Sequence, residues 1–180
     1  MNKIEIRKKI LKIRKKKYHK NLEIDFKNIL KILKKKIFNN KIVGGYYSYN
    51  YEIDAIKLLE KLESRKYKIS LPRIKKNFQM DFYHWSLKDP LSLNKYGIPE
   101  PISQKIEYPD ILLVPLVAFD KHLNRIGYGG GFYDRYIRKI KKKKKIITIG
   151  LAYSFQQVKE IQINQHDIKL DFIITEKRIK

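Results

Sequence analysis

Residues Pro109–Ile137 read PDILLVPLVAFDKHLNRIGYGGGFYDRYI. Ile111 to Val114 is an unbroken apolar run, as expected of a strand buried on both faces. A loop follows and closes on Arg125, Ile126, Gly127, Tyr128, Gly129, Gly130 and Gly131. Phe132, Tyr133 and Asp134 then open a segment that reads as a helix from 132 to 139. Glycines packed this densely after a strand let backbone N–H groups turn toward an anion. The positive end of a following helix reinforces the same spot. Arg125 adds a fixed cation and Asp134 an oxygen ligand for a metal. The residue types therefore point to a phosphate-handling site, with a chain-reversing turn as the plainer alternative. The loop lacks the Gly-Lys-Ser/Thr ending of a Walker loop. It also misses the dinucleotide pattern, because Phe132 stands where the third glycine belongs.

The rest of the chain supplies the partners of that unit. Residues 3–20 read as a basic amphipathic helix, with Ile6, Ile10 and Ile13 on one stripe and Lys3, Arg7 and Arg14 on another. The basic stripe reads first as a solvated face. A second helix spans 22–38, with Leu22, Phe26, Ile29, Leu30, Leu33 and Ile37 inward and Asn39-Asn40 ending it. Residues 41–49 read as a strand interrupted by Gly44-Gly45, which suggests a bulge or a close backbone approach. Asp54 is placed to cap a third helix carrying Ile56, Leu58, Leu59 and Leu62. Strands are expected at 68–74, 146–151 and 172–174. The cluster Phe78, Met80, Phe82, Tyr83 and Trp85 suits either stacking of a flat heterocycle or hairpin packing. Lys95 to Pro101 is a turn-rich connector. The run Lys141–Lys145 reads as a solvated loop. Alternation of strands and helices makes the class α/β.

Composition sets the outer limits. A chain of 180 residues, 43% of them hydrophobic, suits one domain with a single core. No apolar run approaches the ~18 residues that cross a membrane. The N-terminus lacks an apolar h-region, so it does not read as a signal peptide. There are no cysteines, which excludes disulfides and thiolate metal sites. The four histidines, His19, His84, His122 and His166, show no zinc-ligand spacing. The formal net charge is +24. Phosphate neutralisation on a nucleic acid is one reading. The other is compositional drift, because the excess is mainly lysine, is scattered over every segment, and accompanies many Ile, Asn and Tyr residues. Under either reading, weak salt-sensitive binding to polyanions is expected, with no specific nucleic acid.

Beyond the glycine loop, a set of short motifs occurs in one order along the chain. They are Lys3-x-x-x-Arg7, Tyr47 to Asp54 ending in Glu-x-Asp, Leu71-Pro72-Arg73, Tyr96-Gly97-Ile98-Pro99-Glu100-Pro101, Gly150-Leu151-Ala152 and His166-Asp167. In this set the chain resembles the 5-formyltetrahydrofolate cyclo-ligase (methenyltetrahydrofolate synthetase) family over nearly its whole length. The resemblance implies a single-domain three-layer α/β/α sandwich around a mainly parallel sheet. It implies ATP- and Mg2+-dependent closure of 5-formyltetrahydrofolate to 5,10-methenyltetrahydrofolate, with release of ADP and phosphate.

The resemblance also implies roles. Lys3, Ile4, Glu5, Ile6 and Arg7 correspond to one ATP-binding stretch, which revises the solvated-face reading of the first helix. Arg125 to Tyr133 corresponds to the other, shared with the reacting end of the folate, with Arg125 as phosphate clamp and Arg125 and Tyr133 as catalytic positions. Asp134 and Asp167 correspond to magnesium-associated acids; by residue type alone they would be a first-turn helix acid and a turn residue. Tyr47 and Glu52 correspond to folate-binding positions, together with Tyr128, Gly129, Gly130, Gly131 and Phe132; by spacing alone Glu52 would be a capping carboxylate. Met80, Phe82 and Trp85 fall in the region expected near the folate. The substrate's glutamate tail, where it carries one, would be drawn by the positive charge. A cytoplasmic monomer is expected. The first matching motif begins at Lys3, which leaves no room ahead of it for a transit peptide.

The chain departs from the family pattern at several places. Leu116 and Leu123 stand where glycine is usual, Phe132 replaces a tyrosine, Tyr47 a leucine and Ala55 a threonine. None removes a charge from the expected site. Two competing functions remain at this level: a basic nucleic-acid-binding protein on a decayed ligase scaffold, and a phosphotransferase acting on another acceptor.

Overall fold

The computed structural model describes residues 1–18, 22–34 and 42–180. The expected Ile37 contact, the Asn39-Asn40 stop and His19 lie outside the described residues. Helix α1 (Lys3–Lys17) opens with a reciprocal cap. The Asn2 side chain accepts from the N–H groups of Ile4 and Glu5, and the Glu5 carboxylate accepts from the Asn2 N–H, all at 3.0 Å. These bonds satisfy the donors that every helix start leaves open. Helix α2 (Phe26–Lys34) begins four residues later than periodicity suggests. Asp25 stops it earlier by accepting from the Lys27 N–H at 2.8 Å, so Leu22 to Asp25 run non-helical into it.

Strand β1 (Ile42–Gly44) is shorter than expected, and the segment beyond Gly44 is irregular. Its two glycines serve close approach. A Cβ on Gly44 would lie 2.7 Å from Pro109 and 2.8 Å from Phe82, and one on Gly45 would lie 2.4 Å from Leu59. Helix α3 (Ala55–Glu63) is capped by Asp54, as its sequence predicts. It turns Ala55, Leu58, Leu59 and Leu62 inward. Strands β2 (Lys68–Ile74) and β3 (Met80–Trp85) form an antiparallel hairpin. Its turn holds Asn77 and Phe78 in the left-handed region, at φ +56° and +54°. Phe82 and Trp85 are core side chains, so the aromatic cluster resolves mainly as hairpin packing.

Strands β4 (Leu91–Leu93) and β5 (Pro99–Pro101) pair with each other. Strand β6 (Ile106–Glu107) extends the main sheet beside β3. Strand β7 (Ile111–Pro115) sends Ile111 and Leu113 to one face and Leu112 and Val114 to the other. All four are buried, each contributing roughly 2 kcal/mol of transfer free energy. Strands β8 (Ala118–Phe119) and β9 (Arg125–Ile126) make a small hairpin against which Ile6 and Ile10 of α1 pack. Helix α4 (Phe132–Lys141), strand β10 (Ile147–Leu151), a 3-10 turn at Ser154–Gln156 and strand β11 (Phe172–Ile174) complete the order.

The main sheet has the order β11-β10-β7-β1-β2-β3-β6. The first five strands are mutually parallel, and β3 and β6 are antiparallel to their neighbours. Helices α2 and α3 cover one face and α4 the other, which makes the α/β/α layers. The lysine run is not wholly a solvated loop. Lys141 ends α4, and Lys144 pairs with the buried Asp110 carboxylate and donates to the Tyr108 carbonyl at 3.0 Å.

This topology decides where a ligand can bind. Strands β1 and β7 are parallel neighbours. The chain leaves the end of β1 toward α3 on one face, and the end of β7 toward α4 on the other. Such a switch point opens a crevice outside the carboxyl ends of the strands.

Candidate active site

A cavity of about 880 Å³ occupies that crevice. The segment after β1 contributes Tyr46, Tyr47, Tyr49 and Glu52, and the segment after β7 contributes Arg125 to Asp134. Lys3 and Arg7 reach it from α1, Met80 from β3, and Asp167 from the loop before β11. Ile4, Glu5 and Ile6 do not line it. Ile4 is exposed, Glu5 completes the helix cap, and Ile6 packs against the β8–β9 hairpin. Phe82 and Trp85 also lie outside it.

The glycine loop takes the strained path that its composition foreshadows. Gly129 sits at φ +105° and Gly131 at φ +66°, conformations that cost other residues roughly 1–2 kcal/mol. Gly131 is the N-cap of α4 and makes no side-chain capping bond, so the open N–H groups of that helix face the loop. Arg7 donates through Nε to the Gly127 carbonyl at 2.8 Å. A Cβ on Gly129 would lie 3.6 Å from an Arg7 terminal nitrogen, so the guanidinium borders the loop.

Two carboxylates stand beside it, each held by a cation. Asp134 accepts through Oδ1 from Arg125 at 2.9 Å and from the Ile168 N–H at 3.1 Å. Asp167 pairs through Oδ2 with Lys3 and accepts from the Asn164 N–H at 2.6 Å. The plainer readings therefore hold as well, since Asp134 is a first-turn acid of α4 and Asp167 a turn residue. Both also line the cavity. Arg125 is buried and uses its terminal nitrogens on Asp134 and on the Ile168 carbonyl, the latter at 2.6 Å.

Glu52 also lines the cavity. It is no helix cap, because Asp54 fills that place. One carboxylate oxygen accepts from the Tyr49 N–H at 2.9 Å. The other, Oε1, is buried without a hydrogen-bond partner. Burial pushes its pKa up to about 7, only partly offset by the Tyr49 bond, the Arg14 charge and the Tyr128 hydroxyl. The Tyr133 hydroxyl is likewise enclosed and unpartnered, and its pKa is driven far up by desolvation and by Glu52. Buried polar atoms of this kind are costly unless a ligand satisfies them.

Cavity residues that sequence reasoning passed over include Asn94, Tyr96, Ile98 and Glu100, which come from the Tyr96–Pro101 motif and the turn before it. Read as a connector, that stretch forms a wall. Glu100 accepts from the Ile74 N–H at 2.9 Å and from Asn94 at 2.8 Å, tying the wall to β2. Arg135 and Arg138 of α4 line the cavity as well. Their signal was helical spacing: Arg138 stands four residues after Asp134, and Arg135 three after Phe132.

Comparison with known proteins rests on the whole chain. The 5-formyltetrahydrofolate cyclo-ligase family model matches residues 1–176. The chain belongs to that family. It is 36% identical over 138 residues to the 5-formyltetrahydrofolate cyclo-ligase of Haemophilus influenzae, covering 72% of this chain and 73% of the relative. It is 29% identical over 144 residues to that of Escherichia coli K12, covering 76% and 79%. In three dimensions it is similar to 5,10-methenyltetrahydrofolate synthetase from Aquifex aeolicus, with a TM-score of 0.75 and 28% identity. That match covers 100% of this chain and 92% of the other. The cyclo-ligase motifs quoted above thus sit on the matching fold, and most of them converge on one crevice.

Proposed function

We propose that this chain converts 5-formyltetrahydrofolate and ATP to 5,10-methenyltetrahydrofolate, ADP and phosphate. The observation that carries the reading is convergence. A glycine loop, two cation-held carboxylates and an unsatisfied buried carboxylate oxygen all face one cavity. Its size suits large organic ligands.

The chemistry needs little covalent help from the protein. The formyl oxygen of an N-formyl amide is a poor leaving group. Attack of that oxygen on the γ-phosphorus forms an O–P bond and breaks the bond to ADP. The N10 amine then attacks the activated carbon, the ring closes, and phosphate departs with the oxygen while N10 loses its proton. The protein aligns the two substrates and offsets developing charge.

The site residues divide that work. Arg7 and the N–H groups of Gly129 to Gly131 receive the phosphates. Arg125 adds a buried cation on the phosphate side and orients Asp134 through their 2.9 Å contact. Glu52 accepts from the donor edge of the pterin through Oε1, and the Tyr133 hydroxyl hydrogen-bonds the reacting end. Tyr47 and Tyr128 flank the heterocycle. Asp134 and Asp167 fit a magnesium ion, since both are hard oxygen donors on the phosphate side and each uses one named oxygen in the protein contacts above. Bound there, the ion would neutralise phosphate charge while keeping several waters.

The test follows the near-ultraviolet absorbance of methenyltetrahydrofolate after mixing protein, 5-formyltetrahydrofolate and Mg-ATP. The signal is expected to require ATP and to fall at least about a hundredfold in Asp134→Asn, a loss of the size seen when a transition-state charge is left unsupported. No ATP-dependent rise from folded protein would sink the reading.

A further inference from the structure

Arg14 lies outside the machinery described so far. It sits on α1 in the same stripe as Lys3 and Arg7, yet its side chain is 1% exposed. Its Nη1 donates to the Leu116 carbonyl at 3.3 Å and its Nη2 to the Tyr128 hydroxyl. The guanidinium carbon lies 5.6 Å from the centre of the Tyr128 ring. Nε is buried without a hydrogen-bond partner. Among the described residues no carboxylate forms an ion pair with it.

A guanidinium cannot shed its proton, so a buried one must find negative charge or strong acceptors. Two neutral acceptors are a thin complement for a full charge. The anion within its electrostatic reach is Glu52, itself buried and with one oxygen unsatisfied. Tyr128 lies between them, holding Arg14 on one side and neighbouring Glu52 on the other. It also stands in the glycine loop between Gly127 and Gly129, and its hydroxyl reaches the Tyr49 carbonyl at 3.4 Å.

We infer that Arg14 is a positioning residue for the heterocycle wall of the cavity. It is the buried counter-cation of Glu52, and through Tyr128 it ties the glycine loop to the segment that carries Glu52. The inference rests on the cyclo-ligase reading of the cavity. It explains why a cation is buried on a helix whose other exposed positions are rich in lysine. Removing the charge leaves Glu52 with the hydroxyls of Tyr46, Tyr128 and Tyr133 and the Tyr49 N–H as neighbours. A carboxyl in that setting keeps its proton to higher pH and loses an acceptor for the ligand's donor edge.

The experiment measures the KM for 5-formyltetrahydrofolate and for ATP between pH 6 and 9 in wild type, Arg14→Gln and Arg14→Lys. Wild type is expected to bind folate better as pH rises through about 7. In the Gln variant the midpoint should move up by about one pH unit or more, with the folate KM at pH 7.5 raised roughly tenfold and the ATP KM within about twofold. The Lys variant, which keeps the charge and loses the fork, should hold the midpoint near the wild-type value. A folded Gln variant with an unmoved midpoint would overturn the assignment, as would losses shared equally by both substrates. Should the Gln variant fail to fold, the Lys variant decides: a midpoint in place supports the assignment and a displaced one overturns it. A wild type without folate-dependent turnover would instead bring down the cyclo-ligase reading.

Discussion

At the scale of single residues, Glu52 links stability to pH. Its ordinary pKa of 4.5 rises to about 7 in the fold, mainly through burial. Below pH 4.5 it is protonated whether folded or unfolded. Between 4.5 and 7 the unfolded chain releases a proton that the folded chain keeps, so stability falls as pH rises. The loss totals roughly 3 kcal/mol and is complete above 7. Glu52→Gln removes the ionisation and should gain about 1–3 kcal/mol over wild type at pH 8 and little at pH 5. Urea unfolding at the two pH values checks this, and equal gains at both would mean that the carboxyl is not desolvated. The same variant should lose folate binding, because an amide cannot accept through both oxygens. Leu123 is the opposite case. It is no glycine yet holds φ +67°, and it is kept there by the Asp120 turn, whose Oδ1 accepts from the His122 and Asn124 N–H groups at 2.9 and 3.1 Å.

At the scale of elements, the short β1 and its two glycines set the geometry of the switch point. Gly45 leaves no room for a methyl group, because Leu59 of α3 already fills that space at 2.4 Å. Gly45→Ala should therefore destabilise by about 1–3 kcal/mol, as overpacked cores do, with a lower midpoint in urea and an unchanged slope. A variant as stable as wild type would show that α3 yields freely. The α1 helix is the other decisive element. Its docking on the β8–β9 hairpin through Ile6 and Ile10 carries Lys3 to Asp167 and Arg7 to Gly127. Residues 3 and 7 and the glycine loop, 120 positions from Arg7 at Gly127, line one cavity only because that helix is seated.

At the scale of the whole molecule, the net charge of +24 dominates. Eight lysine or arginine ion pairs among the described residues engage a minority of those side chains, and the rest repel one another. Screening shortens that repulsion to about 3 Å at 1 M salt. Thermal stability should therefore rise between 20 mM and 500 mM sodium chloride, by several degrees in a melt. A fall would mean that attractive pairs outweigh the excess charge. No described helix is long and apolar enough to cross a membrane.

The sequence alone determined the α/β class, because an unbroken apolar strand between helical periodicities has few other solutions. It also foreshadowed the left-handed path of the loop, since the φ angles of Gly129 and Gly131 are ones that glycine adopts freely. Local chemistry sufficed for the Asp54 cap, where residue type and short spacing carry the information. Tertiary structure decided what depends on long-range contact. It turned Phe82 and Trp85 into core and the Tyr96–Pro101 connector into a cavity wall. It buried Arg14 while leaving its stripe-mates Lys3 and Arg7 at the site. It also left Glu52 with an unsatisfied oxygen. Burial and charge pairing are sums over neighbours distant in the chain, and one-dimensional periodicity does not contain them.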